Sequence, residues 1–421
     1  MKSQEMIQGV YVHTPFCLQK CLYCDFPSYA GCSADVRERY VRALCREIRQ
    51  GRADGWYGAL PVAPDATIYF GGGTPTVLTT DQLGRVVAAL RGAGWWNRPA
   101  EATVEANPGT VDASSLRALR ELGFTRVSLG VQSLQDRELR AIGRIHTAAE
   151  AKEAVALAKA AGFERVSIDL MYGLPGQTLD SYGKTLEEAA ALGLRHVSAY
   201  SLILEEGTPL ERLVASGRVT LPDEDTVYAM YEATDRFWTA RGLRRYEISN
   251  YAAPGQESRH NQVYWRYEPY AAFGAAACGF DGRRRRTNPA GVADYLAAVE
   301  AGLPAGAGPR TPGTPAVGAG NIPAGGAAAA AQGSPWWDEE DLDVATRLEE
   351  ALFMGLRMVQ GVSLEELGTR FGVDIRSLYK EEMANLIHRG MLYLDGDRMA
   401  LTPYGMRYGN EAFEAFIRLR D

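Results

Sequence analysis

No stretch of this 421-residue chain carries the roughly 18 apolar residues in a row that a membrane-spanning helix needs. Its polar start, MKSQEMIQ, lacks the apolar core of a secretory leader. Both absences lead to the expectation of a cytoplasmic protein with at most peripheral membrane contact. Basic charge is short as well: 45 Lys and Arg against 52 Asp and Glu give a net charge of −7. That is the wrong sign for a main partner that is nucleic acid, because phosphate binding needs a basic field. Cysteine is sparse, six in all, which argues against a disulfide scaffold. A chain of this length with 46% hydrophobic residues buries ample core without cross-links.

The little cysteine present is concentrated. Cys17, Cys21 and Cys24 stand within eight positions, directly after the run GVYVHTPF. In a reducing compartment, closely spaced cysteines more often bind metal or do redox chemistry than form bridges. Three thiolates fall one short of the closed set of four at a structural zinc site, so zinc would need a fourth ligand from a distance. They suit a cubane iron–sulfur cluster with one iron uncapped and open to an external chelator. Cys32, Cys45 and Cys278 follow no metal-like interval; the first two read as ordinary small residues near or on the first helix.

Short apolar, β-branched runs recur at 9–16, 67–73, 103–108, 126–133, 165–174 and 196–202, with helical stretches such as 34–50 and 148–163 between them. Six β-α repeats predict an α/β fold, a parallel sheet curled into a partial (β/α)6 barrel with function at the C-terminal strand ends. The distinctive residues fall at those ends: Gly71-Gly72-Gly73-Thr74-Pro75 after the second strand, Glu105-Ala106-Asn107-Pro108 at the third, Gln132-Ser133 at the fourth, and Asp169 to Gly173 at the fifth. Taken singly, the glycines would serve a turn needing positive φ, and Glu105, Gln132 and Asp169 would serve as helix caps.

The CxxxCxxC spacing, followed by Asp25-Phe26 and preceded by Tyr11-Val12-His13-Thr14-Pro15-Phe16, resembles the radical S-adenosylmethionine (SAM) superfamily. More narrowly it resembles the branch holding the oxygen-independent coproporphyrinogen III dehydrogenases and the HemW heme chaperones. The resemblance implies a [4Fe-4S] cluster on Cys17, Cys21 and Cys24, with SAM on the open iron. It further implies SAM contacts from Tyr11, Gly72, Gly73, Thr74, Glu105, Gln132, Arg144 and Asp169, with Asp169 near the ribose and Arg144 near the carboxylate. Further matching text, GLPGQT at 173–178 and SAYSLILEEGTPL at 198–210, extends it through the sixth strand.

Past the barrel, His260-Asn261-x-x-Tyr264-Trp265 resembles the HNxxYW signature associated with heme in the HemW group, which implies heme contacts from these four residues. A histidine standing alone would more often be a hydrogen-bonded structural residue, but within this signature the ligand reading is favoured, since a neutral imidazole can ligate heme iron and flanking aromatics offer apolar surface to the macrocycle. Cys278 stands where the family commonly has histidine. The run Arg283 to Arg286, after the Asp281-Gly282 turn, reads as a solvated hairpin tip.

Residues 301–335 are dominated by Gly, Ala and Pro and read as a flexible linker or insertion between a 1–300 barrel and a 336–421 domain. In the latter, helix is expected from Glu339 to about Val359, then a hairpin around Asp395-Gly396-Asp397. The result resembles a winged helix. Its 17 Asp and Glu against 10 Lys and Arg exclude a groove-reading DNA module. Within the branch, Phe26 stands where the dehydrogenases carry a fourth cysteine, and only 16 residues precede Cys17. With HNQVYW present, these features favour a heme chaperone delivering heme to an acceptor protein over radical decarboxylation of coproporphyrinogen.

Overall fold

Six parallel strands lie side by side in chain order: β1 (Ile7–Thr14), β2 (Val62–Gly72), β3 (Ala102–Ala106), β4 (Arg126–Gln132), β5 (Arg165–Tyr172) and β6 (His196–Ser201). The structure is a computed structural model describing residues 6–52, 57, 60–301 and 337–417. The Gly/Ala/Pro-rich stretch expected at 301–335 lies, except for Ala301, outside the described residues.

Parallel neighbours need a crossover, and helices Ala34–Gln50, Thr80–Gly92, Ala113–Glu121, Ala148–Ala160 and Leu179–Ala191 supply one after each of the first five strands. Their starts are written into the sequence. Thr79, Thr147 and Thr178 each close a capping box with the residue three positions on, satisfying amides that the first turn leaves unpaired.

Strand alternation decides what the barrel encloses. Val10 and Val12, Ile68 and Phe70, Val127 and Leu129, and Ile168 and Leu170 are all buried in the main core, on the face that the helices cover. The intervening positions, Tyr69, Thr103, Glu105, Ser128, Ser167, Asp169 and Ser198, line the inside. The interior is therefore polar.

The sheet stays open. Beyond β1 it continues through Tyr270–Phe273, parallel to β1, then through antiparallel Cys278–Phe280, Arg284–Thr287 and Asp338–Asp341; beyond β6 it ends with antiparallel Asn250–Ala252 and Arg244–Arg245. Two expectations change here. Asp338–Asp341 is a strand, and the helix begins only at Val344, capped by Asp343. The arginine run is not a solvated tip: Arg284, Arg285 and Arg286 face Asp341, Glu340 and Glu339 across the ladder. Opposite charges on facing residues offset the poor strand propensity of both segments.

The C-terminal segment holds a small antiparallel sheet, Val362–Ser363, Leu392–Asp395 and Arg398–Leu401, with the expected hairpin turning at Gly396. Its core of Leu352, Leu356, Leu367, Met383, Leu386 and Met399 also takes in Tyr267 and Phe280 from the barrel side. No helix among the described residues is long and apolar enough to cross a membrane.

Candidate functional site

A cavity of about 640 Å³ opens at the C-terminal ends of the strands. Cys17, Cys21 and Cys24 line it, as do Gly72, Gly73, Thr74, Glu105, Gln132, Arg144 and Asp169. The sheet thus brings residues more than 150 positions apart onto one wall.

The thiols are held by a chain of polar contacts. Cys17 Sγ lies 3.6 Å from Thr74 Oγ1, which accepts from Asn107 Nδ2 at 2.8 Å. Arg144 then donates from Nη2 to Asn107 Oδ1 at 2.7 Å and from Nη1 to Cys21 Sγ at 3.3 Å. One asparagine and one arginine so tie the first thiol to the second. The loop carrying them is fixed at its far end by His13, whose Nε2 meets the carbonyl of Pro27 at 3.1 Å. Burial pushes the Cys24 thiol above its ordinary value. Among the described residues no three His, Cys, Asp or Glu side chains converge on a single-ion position.

The glycines after β2 answer to the neighbouring strand as well as to the cavity. Gly72 has φ +103°, and a β-carbon there would sit 2.4 Å from the His13 ring. One on Gly73 would lie 2.7–2.9 Å from backbone atoms of Thr14 and Phe16. Glycine here lets the end of β2 press against the segment that leads into Cys17.

Gln132 takes φ +68°, uncommon for a residue with a side chain. It sits at an irregularity in the β4–β5 register, a device that re-aims a side chain. Its amide oxygen accepts from Tyr200 OH at 3.0 Å.

Two carboxyls face the interior without a salt-bridge partner among the described residues. Glu105 accepts from Tyr69 OH at 2.5 Å. Burial, with Asp169 nearby, pushes it up to about 7. Asp169 is also raised by burial, although Ser128 donates to it at 3.3 Å and Ser198 bonds it too. Buried Arg144 Nε lacks a partner. Two acids and an unsatisfied guanidinium donor suit a zwitterion with hydroxyls. Tyr11 is not among the residues lining the cavity: it stacks on Tyr69 at 6.2 Å, and its hydroxyl meets His13 Nδ1 at 2.9 Å.

The HNQVYW segment forms helix Arg259–Trp265 beneath this wall. His260 has no solvent exposure. Its Nδ1 meets Thr67 Oγ1 at 2.8 Å and its Nε2 meets Tyr264 OH at 2.8 Å. Burial pushes the imidazole down to about 3, so it is neutral. Arg357 lies over the Trp265 ring, 4.7 Å from its centroid. Of the four expected heme contacts only Asn261 lines the cavity. An axial ligand needs a nitrogen lone pair facing open space, and His260 as placed offers none. Cys278 Sγ accepts from Thr287 Oγ1 at 3.3 Å.

Sequence reasoning named Asn107 only as part of a strand-end motif, with no role, and passed over Tyr69, Ser198 and Tyr200. Strand alternation was the available signal for Tyr69, which stands four positions before Gly73; on β6, where no inward residue was singled out, the same alternation relates only Ser198 to Tyr200.

Comparisons with known proteins agree with this geometry. Residues 11–189 match the radical SAM superfamily and residues 342–408 the HemN C-terminal domain. Heme chaperone HemW of Bacillus subtilis (strain 168) is 34% identical over 98% of this chain and 99% of its own length. That of Mycobacterium tuberculosis (strain ATCC 25618 / H37Rv) is 33% identical over 94% and 91%. The solved structure of coproporphyrinogen III oxidase (HemN) from Escherichia coli, a radical SAM enzyme, covers 98% of this chain and 90% of that one with a TM-score of 0.78 at 21% identity, which shows a shared fold. The chain belongs to the HemW family of the radical SAM superfamily.

Proposed function

We propose that this chain is a heme chaperone of the cytoplasm that holds a [4Fe-4S] cluster on Cys17, Cys21 and Cys24, binds SAM beside it, and passes heme to an acceptor protein. The observation that carries the reading is three thiols at the mouth of a cavity whose inner wall presents two buried carboxyls with no cationic partner among the described residues. When bound, the cluster and SAM supply one-electron chemistry at the sulfonium. The residues do the holding. Glu105, once ionised, takes the ammonium of SAM, and Arg144 takes its carboxylate through the donor that is otherwise unsatisfied. Asp169 accepts from ribose hydroxyls. Gln132 and Thr74 meet the remaining polar groups, Gly72 and Gly73 keep the approach open, and Tyr11 acts through Tyr69.

Heme is the cargo. His260 does not fit an axial ligand as placed, with both ring nitrogens taken by Thr67 and Tyr264. The surface that suits a porphyrin face lies at the cavity mouth, where Leu18, Phe26, Ile145 and Ile203 are 53–68% exposed beside residues lining the opening, an apolar rim of the kind that marks a binding surface.

Anaerobic reconstitution tests the reading. About four irons and four sulfides per chain, a cluster spectrum perturbed by SAM, and a saturable Soret change on adding heme are expected. A single zinc, or efficient decarboxylation of coproporphyrinogen III, would overturn it.

A further inference from the structure

His260 is too well held to be idle. The amides of Arg259 and His260 both point at Glu101 Oε1, at 3.0 and 3.4 Å, which pins the start of the helix to the base of β3. The imidazole fits closely against β1: a β-carbon on Gly9 would lie 3.2 Å from His260 Cε1. Its two nitrogens are fixed by Thr67 and Tyr264, so the ring cannot turn without breaking both bonds. One ring face lies stacked on Tyr69, centroids 4.9 Å apart and planes 21° from parallel. Tyr69 in turn carries the hydroxyl that donates to Glu105.

We propose that His260 is a positioning residue for the SAM-binding wall: clamped by Thr67 and Tyr264, its ring sets the plane of Tyr69 and so the direction from which Glu105 meets the cofactor. The proposal rests on the assignment of Glu105 to SAM. It gives the HNQVYW helix a task within the cofactor site that needs no exposed histidine. It also explains why a tyrosine stands four residues after the histidine, where one helical turn brings its hydroxyl back to the ring.

The test keeps His260 and removes its clamps. In Thr67→Val/Tyr264→Phe the imidazole remains but both nitrogens lose their protein partners. SAM affinity is measured by equilibrium dialysis on the anaerobically reconstituted full chain, across pH, and heme affinity by Soret titration. SAM should bind roughly three- to tenfold more weakly, the worth of about one well-aligned hydrogen bond. The pH midpoint of SAM binding should rise, because the Tyr69 bond favours the ionised carboxylate; heme affinity should stay within about twofold. Asp169 faces the same carboxylate, and the surrounding Tyr11, Tyr69 and Tyr264 remain neutral, each held above its ordinary value by burial, so the midpoint reports the two carboxyls. Unchanged SAM affinity overturns the proposal, and so does tighter heme binding with a low-spin imidazole spectrum, which freed nitrogens would give if His260 were the ligand. Tyr264→Phe alone serves if the double variant loses its cluster. Absence of SAM binding in the unsubstituted protein would remove the site assignment itself, whereas binding there with no change in the variants overturns only the role of His260.

Discussion

Glu101 and Glu105 stand four residues apart at opposite ends of one short strand, both buried, and the molecule treats them in opposite ways. Glu101, at the N-terminal end, takes Arg126 Nε at 3.0 Å and Arg165 Nη1 at 3.1 Å, besides the two helix amides. Glu105, at the C-terminal end, takes the Tyr69 hydroxyl and the Gly72 amide and shows no cationic partner among the described residues. One carboxylate is satisfied by the fold; the other is left wanting a cation. The same chemical group serves stability at one end of the barrel and, in the proposed reading, binding at the other, the division that parallel α/β barrels draw between their two ends.

The largest effect should come from breaking the satisfied member. Glu101→Ala strands two guanidiniums, one of them fully enclosed, and frees the start of the Arg259–Trp265 helix. Removing one partner of a buried ion pair costs about 3–5 kcal/mol, to be read from denaturant midpoints. A loss below about 1 kcal/mol would break the comparison. Glu105→Gln should do the reverse. The folded protein holds the Glu105 proton up to about 7 against an ordinary value of 4.5, so ionising this group costs stability. The cost is absent below pH 4.5 and full above pH 7, on the order of 3 kcal/mol. Cofactor-free Glu105→Gln should therefore be more stable than its parent at pH 8 and equal to it near pH 4. It should lose at least about tenfold in SAM affinity, since a charge-assisted bond is worth about 1.5–3 kcal/mol. In the parent, SAM should bind more tightly as pH rises through 7, as the carboxylate appears. Flat binding between pH 6 and 8 would place the ammonium elsewhere.

A smaller effect sharpens the comparison at the thiols. Asn107→Ala removes the bridge between Thr74 and Arg144 without touching a cysteine. The cluster should still form but lose iron to a chelator several-fold faster, at a stability cost of about 1–2 kcal/mol. Unchanged iron loss would reduce Asn107 to packing.

Much of the barrel is legible in the sequence alone. All six of its strands sit where the β-branched runs place them, because alternation and strand-end motifs are local signals. Cys45 is buried on the first helix, as an ordinary small residue should be. What escapes a linear reading is what three dimensions decide. Nothing local says that Tyr69 lies between Tyr11 and His260, since those residues are far apart in sequence and meet only when Tyr270–Phe273 pairs with β1 and brings the preceding helix beneath the barrel. The HNQVYW text is legible as a signature but not as a place. Its histidine reads there as a heme ligand, and nothing in the linear text shows that Thr67 and Tyr264 occupy its two nitrogens.

The strand Asp338–Asp341 escapes for a related reason, and it supplies the smallest prediction. Four acids in a row have almost no strand propensity alone; they form one here because four arginines wait on the neighbouring chain segment. These are the same groups as at Glu101, differently placed. Arg285 reaches Glu340 at 3.2 Å with the glutamate 63% exposed, while at Glu101 neither the carboxylate nor Arg126 exceeds 2%. Water already solvates the exposed pair, so Glu340→Gln should cost only about 0.2–1 kcal/mol, and the difference should fade in high salt. Glu101→Ala should keep most of its cost at any ionic strength. If both losses shrink together as salt rises, burial is not what separates the two ends of the comparison.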